Sequence, residues 1–111
     1  PIIIGGHSPA ALRRTVAMGD GWFGFTNDAA ELADTLGRLR ATAETAGRDP
    51  DSIEITALWR GFSDGMEGLE AYRDLGVTRL LVPLHRLGLG DLDENLAQLR
   101  EDVLRKLPPL A

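Results

Sequence analysis

Pro1-Ile2-Ile3-Ile4-Gly5-Gly6-His7-Ser8-Pro9 is the stretch on which the fold turns. Its apolar opening has no polar alternation, the pattern of a strand buried on both faces. Gly5-Gly6-His7 then breaks the chain. Ser8 is a good helix N-cap, and Pro9 stands at the first helical position, where its missing N–H leaves nothing unsatisfied. The helix continues through Ala10, Ala11, Leu12, Arg13 and Arg14 to about Met18 and stops at Gly19.

Outward from this unit the same pattern recurs three times. Gly21-Trp22-Phe23-Gly24-Phe25 reads as a second strand, short and aromatic. A helix starts at Asn27 or Asp28, with Asp28 and Glu31 spaced as in a capping box. Leu32, Leu36, Leu39 and Ala43 then fall on one helical face. Gly47 is the expected C-cap, and Arg48-Asp49-Pro50-Asp51 makes the turn. The third strand covers Ser52 to Trp59, with Ile53, Ile55 and Ala57 alternating against Glu54, Thr56 and Leu58. A helix around Met66 to Leu75 ends at Gly76. The fourth strand, Thr78 to Leu84, carries Leu80-Leu81-Val82. After a loop holding Gly88 and Gly90, Asp91 and Glu94 open a last helix striped by Leu92, Leu96, Leu99, Val103 and Leu107, which Pro108-Pro109 ends.

Strands alternating with helices place the chain in the α/β class, with parallel strands joined by helical crossovers. Three architectures fit: an open doubly wound sheet, a whole small α/β domain, or an arc of a (β/α)8 barrel. Four βα units of roughly 25 residues match half of a barrel of about 250 residues. The 111 residues read as one domain, 1–111, and the absence of an initiator Met suggests a piece of a longer chain.

Composition narrows the function. A net charge of −5 and an isoelectric point near 4.9 argue against nucleic acid or an anionic membrane as partner. No apolar run approaches the roughly 18 residues of a membrane span. No basic region precedes the apolar start, so no signal peptide is expected, and a cytoplasmic location follows. With no Cys, a disulfide framework, a thiolate metal site and a Cys nucleophile are excluded. The two His lack a partner at metal-ligand spacing, so no metal site is expected. Glu44 with Arg48, and Glu70 with Arg73 or Asp74, read as solvated surface.

Gly5-Gly6-His7-Ser8 is the strongest candidate site. It lies at the carboxyl end of a strand and opens a helix, where unpaired N–H groups and the positive dipole end favour an anion. Ser8 adds a hydroxyl, and Arg13 or Arg14 can lie close by. The competing reading is a plain tight turn in which Ser8 only caps the helix. His7 is a phosphate or ring contact, or a turn residue. Trp59 and Arg60 follow the third strand, and His85-Arg86 the fourth, on the end where α/β barrels place their sites. Each has an ordinary alternative, core packing for Trp59 and a solvated loop for His85 and Arg86. Trp22 and Phe25 read as core. A nucleophile elbow, a P-loop and a dinucleotide fingerprint all need glycine spacing that this turn lacks.

Pro1-Ile2-Ile3-Ile4-Gly5-Gly6-His7-Ser8, then Ala10-Ala11-Leu12-Arg13-Arg14 and Gly19-Asp20-Gly21-Trp22, resembles the carboxyl-terminal half of the luciferase-like monooxygenase family. That family includes flavin-dependent monooxygenases and deazaflavin (F420) dependent oxidoreductases. Ala46-Gly47-Arg48-Asp49-Pro50, Ile53-Glu54-Ile55-Thr56 and Gly76-Val77-Thr78-Arg79-Leu80-Leu81-Val82 follow in the same order. The resemblance implies a (β/α)8 barrel of which this chain supplies the last four units. It implies FMN or F420 as cofactor, with the phosphate held at Gly5, Gly6, His7 and Ser8, and a small-molecule substrate. Trp59, Arg60, His85 and Arg86 become candidates for lining the substrate side. Eleven Arg against one Lys suggest a GC-rich genome, in which F420 use is unsurprising. No general acid or base is assigned, because the family draws many ring contacts from the half that precedes this one.

Half a barrel has a physical consequence. Its two open edges are the strands at Ile2–Ile4 and Leu80–Val82, and the inner face of its sheet has nothing opposite. The expectation is a homodimer that approximates a closed barrel or packs two arcs face to face; the competing reading is a fragment of a longer polypeptide whose amino-terminal half is missing. The alternative to an oxidoreductase is a non-catalytic half-barrel that keeps only the phosphate turn.

Overall fold

The computed structural model describes residues 1–26, 28–59, 65–83, 91–102 and 105. Among the described residues four strands alternate with four helices: β1 Ile3–Gly5, α1 Pro9–Met18, β2 Gly21–Gly24, α2 Ala29–Thr45, β3 Glu54–Leu58, α3 Gly65–Asp74, β4 Arg79–Leu81 and α4 Leu92–Asp102, with a short 3-10 turn at Pro50–Ser52 before β3. The expected strands are shortened at their ends. Ser52 belongs to that turn, held by the Asp49 side chain on the Asp51 amide at 3.0 Å.

Local chemistry sets the helix boundaries. The Ala11 amide donates to the Ser8 hydroxyl at 3.1 Å, and the Glu31 amide to Asp28 Oδ1 at 2.8 Å, so both N-caps read from the sequence are formed. At the far end of α2 the amide of Arg48 donates to the Ala43 carbonyl and that of Gly47 to Glu44, the paired bonds of a Schellman ending. The same pair closes α3, from Val77 to Tyr72 and from Gly76 to Arg73.

All four strands are parallel and pair in chain order, β1-β2-β3-β4. Register puts Trp22 beside Ile55 and Gly24 beside Ala57. Trp22, Ile55 and Ala57 are buried with Leu12 and Val16 of α1, Leu32, Leu39 and Ala43 of α2, and Tyr72 of α3. One face of the sheet therefore carries the helices. A doubly wound sheet would reverse strand order and split its helices between two faces. Consecutive order with the helices on one side is the arrangement of a (β/α)8 arc, and the chain is an α/β half-barrel type of fold.

Period-2 alternation turns the other rows away from the helices. Ile3, Gly21 and Glu54 form one such row, and Gly5, Phe23, Thr56 and Arg79 the next. Two expectations are corrected here. The first strand is not buried on both faces: Ile2 and Ile3 are exposed, because β1 is a sheet edge whose second face has no cover. Phe25 is not core either, being 65% exposed, while its ring packs edge-on to Phe23 at 5.3 Å on the uncovered side.

Candidate functional site

The β1–α1 turn is built by constraints from three elements. Gly6 has φ +114°, in the region that L side chains avoid, and a Cβ there would stand 2.9 Å from the Ala11 Cβ. Its amide extends the ladder to the Phe23 carbonyl at 3.3 Å. The Gly6 carbonyl accepts from Trp22 Nε1 at 2.8 Å, and the His7 carbonyl from Arg38 Nη1 of α2 at 3.0 Å.

These two bonds orient the turn. In a trans peptide the C=O and the following N–H point in opposite directions. With the Gly6 carbonyl held by Trp22, the His7 amide is directed away from Trp22. With the His7 carbonyl held by Arg38, the Ser8 amide is directed away from Arg38. Neither amide has a hydrogen-bond partner among the described residues. Two successive donors thus stand free at the amino end of a ten-residue helix whose first turn carries no acid. The Ser8 hydroxyl accepts from Ala11 and keeps its own proton to donate.

The His7 ring meets Trp22 edge to face at 5.7 Å and 85°. It lies over Gly24, where a Cβ would be 2.8 Å from Nε2 and would overlap the Trp22 ring. His7 is half-buried, and Gly5 and Ser8 are exposed. The donor set suits an anion: two free backbone amides and a hydroxyl at a helix start, with the Arg38 guanidinium behind the turn on the His7 carbonyl. Arg38 is the residue that sequence reasoning missed. It also engages Asp34 at 3.4 Å and Thr35 Oγ1 at 3.4 Å, which fixes the guanidinium in place. Arg13 and Arg14 are exposed on α1, and Arg13 faces the groove shared with Ala41 and Thr42 of α2.

Of the residues considered for the substrate side, Trp59 is 1% exposed and packs in the core beneath the helices. That is the packing alternative of its two readings. Arg60, His85 and Arg86 lie outside the described residues. Arg48, expected on solvated surface with Glu44, instead reaches back to the end of α1. Its Nη1 donates to the Thr15 carbonyl at 3.2 Å and the Val16 carbonyl at 3.0 Å. Glu70, Arg73 and Asp74 are exposed as expected, and the ion pair that forms there is Arg73 with Asp74, at 3.1 Å. Among the described residues no three or more His, Asp or Glu are grouped to hold a metal ion. No described helix is long and apolar enough to cross a membrane.

The luciferase-like monooxygenase family matches residues 1–63, a span that runs from β1 through β3 and contains the whole Gly-Gly turn. Uncharacterized protein Rv0940c of Mycobacterium tuberculosis and Uncharacterized protein Mb0965c of Mycobacterium bovis are each 39% identical to the chain over 83 residues. That alignment covers 74% of this chain and 27% of each relative, so the chain spans about a quarter of their length. Parallel βα units in barrel order, a glycine turn capped by Ser8, and a match over more than half of the residues agree: the chain belongs to the luciferase-like monooxygenase family.

Proposed function

We propose that this chain is the carboxyl-terminal, phosphate-binding half of a flavin- or F420-dependent oxidoreductase acting on a small molecule in the cytoplasm. The observation that carries the reading is the pair of outward amides of His7 and Ser8, set by Trp22 and Arg38 at the start of α1. Gly5 and Gly6 let the phosphate approach the backbone, Ser8 donates its hydroxyl, and the His7 ring flanks the same turn. Arg38 holds the turn open and adds positive charge. When bound, the isoalloxazine or deazaflavin ring supplies the hydride or oxygen chemistry, and the chain contributes position. Arg60, His85 and Arg86, which follow the third and fourth strands, would line the substrate side, with Trp59 supporting them from the core.

Titration of the 111-residue chain with FMN and with F420, read by ligand fluorescence, tests this. One of the two is expected to bind, with competition by inorganic phosphate. Arg38→Met is expected to weaken binding by about tenfold, in line with ~1–2 kcal/mol for a charge-assisted contact. Arg73→Ala, on an exposed pair away from the turn, should leave it unchanged. Absence of binding to either cofactor at high micromolar concentration would overturn the proposal.

A further inference from the structure

α1 and α2 enclose a shallow groove of about 390 Å³, lined by Pro9, Arg13, Ala41, Thr42, Thr45 and Ala46. It begins beside the Gly-Gly turn, since Pro9 directly follows the Ser8 cap. Arg38, which holds the His7 carbonyl, stands one helical turn before Thr42, and Thr42 Oγ1 donates to the Arg38 carbonyl at 2.8 Å. Thr45 Oγ1 donates to the Ala41 carbonyl at 2.9 Å. With their protons so engaged, the two hydroxyls have only acceptor lone pairs left for the groove. Arg13 lies one turn beyond Pro9, and among the described residues its guanidinium has neither an ion pair nor a hydrogen bond. The lining therefore combines an unpaired guanidinium, two acceptor hydroxyls and small apolar surface. It holds no carboxylate, although the chain as a whole carries a net charge of −5.

We infer that this groove holds the oligoglutamate tail of F420, and hence that the chain takes F420 rather than FMN. The inference rests on the phosphate reading above and concerns what lies beyond the phosphate. FMN ends at a phosphate monoester. In F420 the phosphate is a diester, continued by a lactyl group and by glutamyl units that are joined through amides and each carry a free carboxylate. A ligand chain leaving the turn past Ser8 meets Pro9 and then Arg13. The Arg13 guanidinium takes a carboxylate in a charge-assisted contact. The hydroxyls of Thr42 and Thr45 accept from the amide N–H groups, and the methylenes lie on Pro9, Ala41 and Ala46. An inorganic anion brings no N–H for those hydroxyls and gains Arg13 alone. The groove thus matches a peptide-like chain bearing carboxylates, both in charge and in its balance of donors and acceptors.

Fluorescence titration of the 111-residue chain tests this, with F420 bearing its tail and with the tail-less form that ends at the lactyl group, each at low and at high ionic strength. At low salt the tailed form is expected to bind about fivefold more tightly, the scale of an exposed ion pair, and the advantage shrinks as salt screens it. Arg13→Met should remove the advantage and leave the affinity of the tail-less form unchanged. Thr45→Glu, which sets a carboxylate at an exposed lining position, should do the same. Circular dichroism verifies that both variants keep their helix content. Arg40→Met, on the exposed pair with Asp51, should leave both affinities as they are. Equal affinity for the two forms in the unsubstituted chain overturns the inference and leaves the phosphate reading standing, as does binding of FMN in preference to F420. A tail advantage that survives both Arg13→Met and Thr45→Glu also overturns it, because another surface would then hold the tail. Binding of neither F420 form nor FMN overturns the phosphate reading and this inference together.

Discussion

Gly6 is the residue at which backbone and packing constraints coincide. Its φ of +114° excludes most side chains on conformational grounds, and the 2.9 Å approach to the Ala11 Cβ excludes them on steric grounds. The strain of such a conformation is about 1–3 kcal/mol for a non-glycine residue, and the overlap adds to it. Gly6→Ala is therefore expected to lower Tm by about 5–15 °C for a domain of this size. Thermal unfolding followed by circular dichroism checks this, and an unchanged Tm would mean that the turn relaxes freely. Gly24 poses a different problem. Its missing Cβ leaves the space filled by the Trp22 and His7 rings, so Gly24→Ala displaces the indole that holds the Gly6 carbonyl. Cofactor affinity should fall in that variant, although Gly24 itself touches no phosphate.

At the scale of elements, local signals were readable and distant ones were not. Ser8, Pro9, Asp28 and the glycines after α2 and α3 act within a few residues of themselves, so sequence spacing exposes them. Arg48 reaches a carbonyl 33 positions away and Arg38 one 31 positions away, and no periodicity announces such a reach. Phe25 departs from its expected core position for a related reason. Alternation tells which residues share a sheet face, but not which face the rest of the molecule covers. The Gly-Gly turn was legible as a candidate site, while the donors that orient its amides were not. Arg48 also supports a prediction about α1. Its guanidinium meets the last carbonyls of that helix, where a cation offsets the negative dipole end. Arg48→Met keeps the stem and removes the donors, and should cost about 1–2 kcal/mol. Arg40→Met, which breaks only the exposed 3.0 Å pair with Asp51, should cost less than about 0.5 kcal/mol. Urea midpoints with unchanged slopes measure both. Equal losses would show that Arg48 is an ordinary surface residue.

For the whole molecule, the sheet order sets a gradient of protection. β2 and β3 are flanked on both sides, so their amides and carbonyls are paired in both directions. β1 and β4 are edges, where alternate amides point outward with no ladder partner. In an isolated chain, amides of Trp22, Phe23, Ile55 and Thr56 should exchange most slowly, and those on the outer sides of Ile3–Gly5 and Arg79–Leu81 near the unprotected rate. Hydrogen exchange read residue by residue checks this order. Equal protection along all four strands would overturn the gradient, because it would require ladder partners for β1 and β4 that the described residues do not supply.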